Sequence, residues 1–138
     1  MTTTETAKQL ARTTISDAGD RLIGLSRMIH GHPELGFEEE QASRWCAEAL
    51  TDGGFTVERG TCGLVTAFAA SAGTGPLTVA ICAEYDALPE IGHACGHNVI
   101  ASGPSAPPSL WRRSRTTSES PFASSARRRR KEGAARSS

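Results

Sequence analysis

Residues 77–98 read Leu77-Thr-Val-Ala-Ile-Cys-Ala-Glu-Tyr-Asp-Ala-Leu-Pro-Glu-Ile-Gly-His-Ala-Cys-Gly-His-Asn98. The first part, residues 77–83, is apolar on both faces of an extended chain, which predicts a buried central strand. The second part, residues 84–98, is a loop rich in side chains that bind metals or carry protons. Because open α/β sheets place their sites just beyond such strands, we expect this loop to be functional.

The sequence before this stretch predicts two helices and two further strands. Apolar residues recur at helical spacing from Thr6 to Ile29, and Pro33 ends that helix. A second helix follows the acidic cluster 38–40 and ends at Gly53-Gly54. Residues 55–57 and 64–70 are strand candidates, with 71–76 as a hairpin or short loop. The order predicts an α/β domain with a mixed sheet.

The loop contains one cysteine, two histidines and three carboxylates. Cys95 and His97 are separated by one glycine and can face a single metal ion, and a thiolate with an imidazole suits zinc or a similar ion. Asp86 could hydrogen-bond a metal-bound histidine or bridge to a second ion. We expect His93 to orient the loop or contact substrate rather than bind metal.

Simpler interpretations apply to other reactive side chains. Cys46 and Cys82 are predicted to pack as small apolar residues, on a helix and in the strand, and Cys62 to lie in a turn. Glu84 and Glu90 are consistent with solvated surface residues. A Cys–His nucleophile is disfavoured, because a histidine so close in sequence to Cys95 rarely has the geometry to deprotonate it.

Three segments resemble the amidohydrolase branch of metallopeptidase family twenty, which includes aminoacylases, aminobenzoyl-glutamate hydrolases and indole-acetyl-amino-acid hydrolases. They are residues 29–39 (Ile-His-Gly-His-Pro-Glu-Leu-Gly-Phe-Glu-Glu), 84–89 (Glu-Tyr-Asp-Ala-Leu-Pro) and 92–97 (Gly-His-Ala-Cys-Gly-His). The resemblance covers about residues 5–102. It implies the N-terminal part of a zinc-peptidase-like catalytic domain. The variant Glu84-Tyr-Asp86, with Asn98 rather than Asp after the second histidine, resembles the subgroup that contains the aminobenzoyl-glutamate hydrolases.

The resemblance also implies an activity and a ligand set. It implies hydrolysis of the amide bond of an N-acyl amino acid or small peptide with one or two Zn or Mn ions. Cys95 and His97 would be metal ligands. Asp86 would be the acidic residue of the catalytic site that fixes the conformation beside the metal. The family's Glu-Glu pair, its later histidines and its lid or dimerisation domain have no counterpart here. We therefore expect a truncated domain with little or no catalysis alone, and a homodimer only with the lid present.

The formal net charge of zero is an average over two different segments. Residues 1–102 carry 6 basic and 13 acidic residues, a net charge of −7, whereas residues 103–138 carry 9 basic and 2 acidic, a net charge of +7. The overall balance argues against a dedicated nucleic-acid binder. No apolar run could span a membrane, and no signal peptide is recognisable, so we expect a cytoplasmic protein with reduced thiols.

Residues 103–138 are predicted to be a disordered tail with nine Ser, eight Arg and four Pro. This composition also suits a GC-rich gene read out of frame. With suitable wobble bases, shifted codons over residues 116–133 encode a segment ending in Gly-Thr-Pro-Ala-Glu-Glu-Gly-Gly, the missing motif. We therefore hypothesise a frameshift near residues 102–105. The alternatives are a non-catalytic fragment with a weak metal site and a nucleic-acid-binding arm over residues 112–131.

Overall fold

A computed structural model describes residues 3–106 of the chain. These residues form helix α1 (Thr3–His30), helix α2 (Glu40–Asp52), strands β1 (Thr56–Arg59) and β2 (Phe68–Ser71), and helix α3 (His97–Ser102). The α/β class is confirmed. The predicted tail lies outside the described residues from position 107 onward, as does the proposed nucleic-acid-binding segment.

Both predicted helices are present, and some of their apolar positions form the core, although Ile15 and Met28 of α1 are exposed. Leu25 and Ile29 of α1 pack against Ala42 and Cys46 of α2, with Ala101 of α3 completing the cluster. Complete burial of an aliphatic side chain such as Ile29 stabilises the fold by about 1.5–3 kcal/mol. The periodicity identified these elements because each helix buries one continuous stripe.

Helix α2 begins at Glu40, and a carboxylate from the preceding loop caps it. Both oxygens of Glu34 accept hydrogen bonds from the backbone N–H of Gln41, each at 3.0 Å, and Oε2 also accepts from the N–H of Ala42 at 2.9 Å. These donors belong to the first helical turn, where no intrahelical acceptor exists. Glu34 thus ties the loop after α1 to the start of α2.

The two strands form an antiparallel sheet in which Thr56 pairs with Ser71 and Arg59 with Phe68. The predicted strand over 64–70 begins only at Phe68. Turns occupy its first half, where Leu64 N–H donates to the Thr61 carbonyl and Ala67 N–H to the Leu64 carbonyl, each at 3.1 Å. Residues engaged in such turns cannot also form a β-ladder.

The prediction of a buried central strand over residues 77–83 is wrong for the described part of the chain. These residues belong to no strand there, and Cys82 is exposed rather than buried. A central strand exists only where neighbouring strands flank it, and the described sheet contains β1 and β2 alone. Within residues 3–106, no helix has the length and apolar character needed to cross a membrane.

Candidate metal and catalytic site

The loop over residues 84–98 is held against the segment that follows α1. Ala87 N–H donates to the Glu34 carbonyl at 2.7 Å, and Leu35 and Ala87 form a parallel bridge. Leu88 and Gly92 close a tight turn through two hydrogen bonds of 2.9 and 3.0 Å. Two sequence motifs that lie about fifty residues apart therefore meet side by side.

A short polar contact joins the side chains of Asp86 and His97 within the loop. Asp86 Oδ1 lies 2.7 Å from His97 Nδ1, and the Asp86 carbonyl oxygen lies 3.2 Å from the same nitrogen. Because an ionised carboxylate only accepts hydrogen bonds, Nδ1 carries the proton, and a neutral His97 ring keeps its lone pair on Nε2. That is the tautomer in which an imidazole binds a metal ion.

His97 is the first residue of α3, and the preceding backbone turns sharply. Gly96 has φ 86°, a left-handed conformation that a residue with a side chain rarely adopts. The turn separates Cys95, which is exposed, from His97, which is about three-quarters buried. A thiol and an imidazole suit zinc, so the chemistry of this donor pair fits the expected metal.

No metal-binding group is assembled among the described residues. Within residues 3–106, no group of three or more His, Cys, Asp or Glu side chains is placed to hold an ion. Glu84 and Glu90 are both exposed, as expected for solvated residues. Cys95 and His97 are thus two candidate ligands without a third donor in this part of the chain.

The His93 ring is buried near His30, the last residue of α1. The His93 side chain is 6% exposed, and neither ring nitrogen forms a hydrogen bond with a described residue. The ring centroid lies 6.1 Å from that of His30. Burial lowers the pKa of His93, with the His30 and His97 rings adding to the shift, while the nearby Ile29 backbone and Asp86 oppose it. Burial therefore favours the neutral form of the His93 imidazole.

Tyr85 and Asn98 anchor the motif loop, although neither residue type alone predicted this. Tyr85 donates a 2.6 Å hydrogen bond to the Thr66 carbonyl and stacks on Phe68 of β2, with ring centroids 5.8 Å apart. Asn98 donates from its side-chain amide to Ser26 Oγ on α1 at 2.9 Å. Their position beside Asp86 and His97 was the available signal, since flanking polar residues often hold a site in place.

Comparison with characterised proteins reveals several relatives. A Xaa-Arg dipeptidase from Mus musculus is 42% identical over 108 residues, which cover 70% of this chain and 25% of that protein. One of the subunits of p-aminobenzoyl-glutamate hydrolase from Escherichia coli is 35% identical over 99 residues, 59% of this chain and 21% of that protein. Thermostable carboxypeptidase 2 of Saccharolobus solfataricus is 36% identical over 100 residues, 61% of this chain and 25% of that protein.

The relatives are hydrolases, and the similarity lies in the N-terminal part of this chain. No family model matches the sequence. The chain spans about a quarter of the length of the curated relatives it matches. These homologues are members of metallopeptidase family twenty, and this chain is 35–42% identical to them over its N-terminal part.

Proposed function

We propose that residues 1–102 are the N-terminal part of a metal-dependent amidohydrolase that cleaves the amide bond of an N-acyl amino acid or small peptide. The observation that carries this proposal is the 2.7 Å contact between Asp86 and His97, which leaves His97 Nε2 available for a ligand two positions after Cys95 in the sequence. The names of the relatives, a dipeptidase, a carboxypeptidase and an aminobenzoyl-glutamate hydrolase, support the substrate class.

The proposal assigns one task to each residue of the site. Cys95 and His97 would hold one Zn or Mn ion, which when bound polarises a carbonyl and lowers the pKa of water. Asp86 keeps the His97 ring in the Nδ1-protonated tautomer and fixes its orientation. His93 keeps the loop in place by packing or contacts the substrate.

The 138-residue chain is proposed to be catalytically silent. A hydrolase of this kind needs a general base and enough ligands to close the metal site. Residues 3–106 present two candidate ligands, with Asp86 already bonded to His97. We expect no chelator-sensitive turnover of N-acetyl amino acids, aminobenzoyl-glutamate or Xaa-Arg dipeptides with added Zn²⁺ or Mn²⁺. Robust turnover would contradict this.

Metal binding tests the site without requiring activity. Titration with Co²⁺ should give a sulfur-to-metal absorption band that is lost in Cys95→Ala, with affinity reduced at least about tenfold. Cys62→Ala and Cys82→Ala are matched controls, because both cysteines are also exposed. Equal losses in all three variants would mean adventitious thiol binding and would remove the proposed site.

The proposal extends to residues 103–138 as the product of a shifted reading frame. Their Arg- and Ser-rich composition supports it, as does the recoded Glu-Glu motif. The relatives align with only 59–70% of the chain, which is compatible with this division. Sequencing the DNA beyond codon 102 tests it. A shifted frame without a long family-like continuation would reject the frameshift.

A reducing cytoplasmic location also belongs to the proposal. All four cysteines are free thiols, and Cys62, Cys82 and Cys95 are exposed. Exposed unpaired thiols persist in compartments where disulfides are kept reduced. Fractionation of cells that produce the chain, followed by thiol labelling before lysis, would test this. Recovery from an oxidising compartment with disulfide-linked cysteines would contradict it.

A further inference from the structure

Glu39, the residue before α2, carries a buried carboxylate. The residue is 8% exposed, and its Oε2 accepts a 2.9 Å hydrogen bond from Oγ1 of Thr66, which is buried as well. Burial of an ionised group is costly unless hydrogen bonds or dipoles compensate it, and the N-terminus of a helix favours negative charge. Glu38 and Glu40, the neighbours of Glu39, are both exposed. Burial therefore singles out Glu39 among the acidic residues of this cluster.

Thr66 connects Glu39 to the motif loop. While its hydroxyl donates to Glu39, its carbonyl oxygen accepts a 2.6 Å hydrogen bond from the Tyr85 hydroxyl. The Tyr85 ring also stacks on Phe68, with the ring planes 8° apart. The two hydrogen bonds, hereafter the Glu39–Thr66–Tyr85 link, join residues that are 27 and 19 positions apart in the sequence. Because Tyr85 directly precedes Asp86, the link ends at the candidate site.

The residue on the other side of Asp86 is tied to the same end of α2. Ala87 N–H donates to the Glu34 carbonyl at 2.7 Å, and the Glu34 carboxylate accepts from the backbone N–H of Gln41 in the first turn of α2. Asp86 therefore lies between two tethers that both lead to the start of α2. A backbone held on both sides of a residue restricts its side chain, and the contact of Asp86 with His97 depends on that restraint.

We propose that Glu39 is a positioning residue of the Asp86–His97 pair. Through Thr66 and Tyr85 it holds the backbone of Asp86 where Oδ1 lies 2.7 Å from His97 Nδ1. Glu39 itself contacts neither the metal nor the substrate. Residues outside the ligand set orient a metal ligand through the hydrogen bonds that they accept or donate. The consequence for metal binding rests on the proposed function, whereas the orientation of His97 can be measured without a metal.

The tautomer of His97 tests the proposal by nuclear magnetic resonance. Long-range nitrogen–proton spectra of the isotope-labelled full chain, recorded without metal at about pH 8, where imidazole is usually neutral, show which ring nitrogen carries the proton. The wild-type His97 ring should hold its proton on Nδ1. Glu39→Ala and Thr66→Val each break the Glu39–Thr66–Tyr85 link and should shift His97 towards a mixture of the two tautomers. An unchanged His97 spectrum in either variant would overturn the proposal.

Three control variants separate the hydrogen bond from charge and stability. Glu39→Gln keeps an acceptor oxygen for Thr66 and should retain the wild-type tautomer. Glu40→Gln removes an exposed carboxylate from the same end of α2 and should also leave the tautomer unchanged. Leu50→Ala removes a buried side chain near the other end of α2, which lowers the free energy of unfolding without touching the link. A shift in any of the three as large as in Glu39→Ala would assign the effect to charge or to general stability and would refute a positioning role.

Zinc affinity distinguishes a failure of this proposal from a failure of the proposed function. Calorimetric titration of the full chain with Zn²⁺ should give an affinity about tenfold lower for Glu39→Ala than for Glu40→Gln, the lower end of the effect of substituting such a supporting residue. A wild-type chain that binds no Zn²⁺ would contradict the proposed metal site, and the tautomer of His97 would still decide the role of Glu39. Equal affinities in the two variants, with an unshifted tautomer, would refute the positioning role and leave the metal site intact.

Discussion

Asp86 Oδ1 and His97 Nδ1 lie 2.7 Å apart, although the two residues belong to different motifs of the loop. The contact orients an imidazole whose second nitrogen stays available. A side chain held in this way loses little further freedom when it binds a ligand, which is the physical basis of the proposed site.

Asp86→Asn is expected to weaken metal binding by about 10- to 100-fold. The amide cannot accept as strongly from His97 Nδ1–H and can donate instead, which favours the wrong tautomer. Calorimetric titration with Zn²⁺ measures the change. Glu84→Gln is the control, since it removes an exposed carboxylate two residues away. Equal affinities for the two variants would show that Asp86 does not position His97.

Glu34→Gln is expected to lower the free energy of unfolding by about 0.5–2 kcal/mol, the range measured for loss of a helix cap. The carboxylate accepts from the N–H groups of Gln41 and Ala42, and the neutral amide offers one acceptor oxygen in place of two. Urea denaturation measures the difference. Exposed Glu38→Gln controls for the lost charge, and a similar loss there would argue against specific capping.

Because of Cys46, the free energy of unfolding should decrease in alkaline solution. Burial raises the pKa of its thiol from 9.0 to about 12. As the pH rises, the thiol therefore loses its proton in the unfolded chain before it does so in the folded chain. The contribution of Cys46 to the free energy of unfolding is complete below about pH 9 and declines as the pH rises towards 12. Urea denaturation across this range should show a slope that Cys46→Ala reduces. An unchanged slope in that variant would assign the effect to another group.

Thiol labelling provides a second measurement on the same residue. At pH 8 in native conditions, Cys62, Cys82 and Cys95 should react rapidly because they are exposed, while buried Cys46 should react only on unfolding. Mass spectrometry of the labelled peptides identifies each site. Rapid native labelling of Cys46 would show that the helix core opens readily.

His93→Leu is expected to leave the free energy of unfolding unchanged or raise it. The buried ring has two nitrogens without hydrogen-bond partners among the described residues, and removing an unpaired polar group from a core relieves its desolvation cost. The same substitution at exposed His32 controls for loss of an imidazole. A loss of more than about 2 kcal/mol would point to hydrogen bonds that hold the loop.

His93→Leu should also change how the free energy of unfolding depends on pH in acidic solution. Because burial lowers the pKa of His93, the unfolded chain binds a proton before the folded chain does. Its contribution to stability is complete above about pH 6.5 and is lost as the pH falls. His93→Leu should therefore flatten the decline below that pH. Urea denaturation at pH 5 and pH 7 measures it, and an identical decline in the variant would contradict the assignment.

Periodicity alone determined both long helices, because a helix buries one stripe whose spacing is visible in the sequence. The order of residues also predicted the chemistry of the loop, since Asp86, Cys95 and His97 lie within twelve positions of one another. Their types predicted a hydrogen bond between Asp86 and a histidine, which the 2.7 Å contact with His97 confirms, and a metal site, which stays a prediction. Local spacing suffices where the interacting groups are close in sequence.

Only the tertiary structure decided the features that depend on distant partners. Glu34 caps α2 and pairs with Ala87, and Asn98 binds Ser26, contacts between residues up to 72 positions apart. Residues 77–83 show the same limit in reverse, because their composition is that of a buried strand while the side chains of residues 77–82 are exposed. Sequence records how apolar a segment is, but burial requires neighbours, and only the fold determines whether they are present.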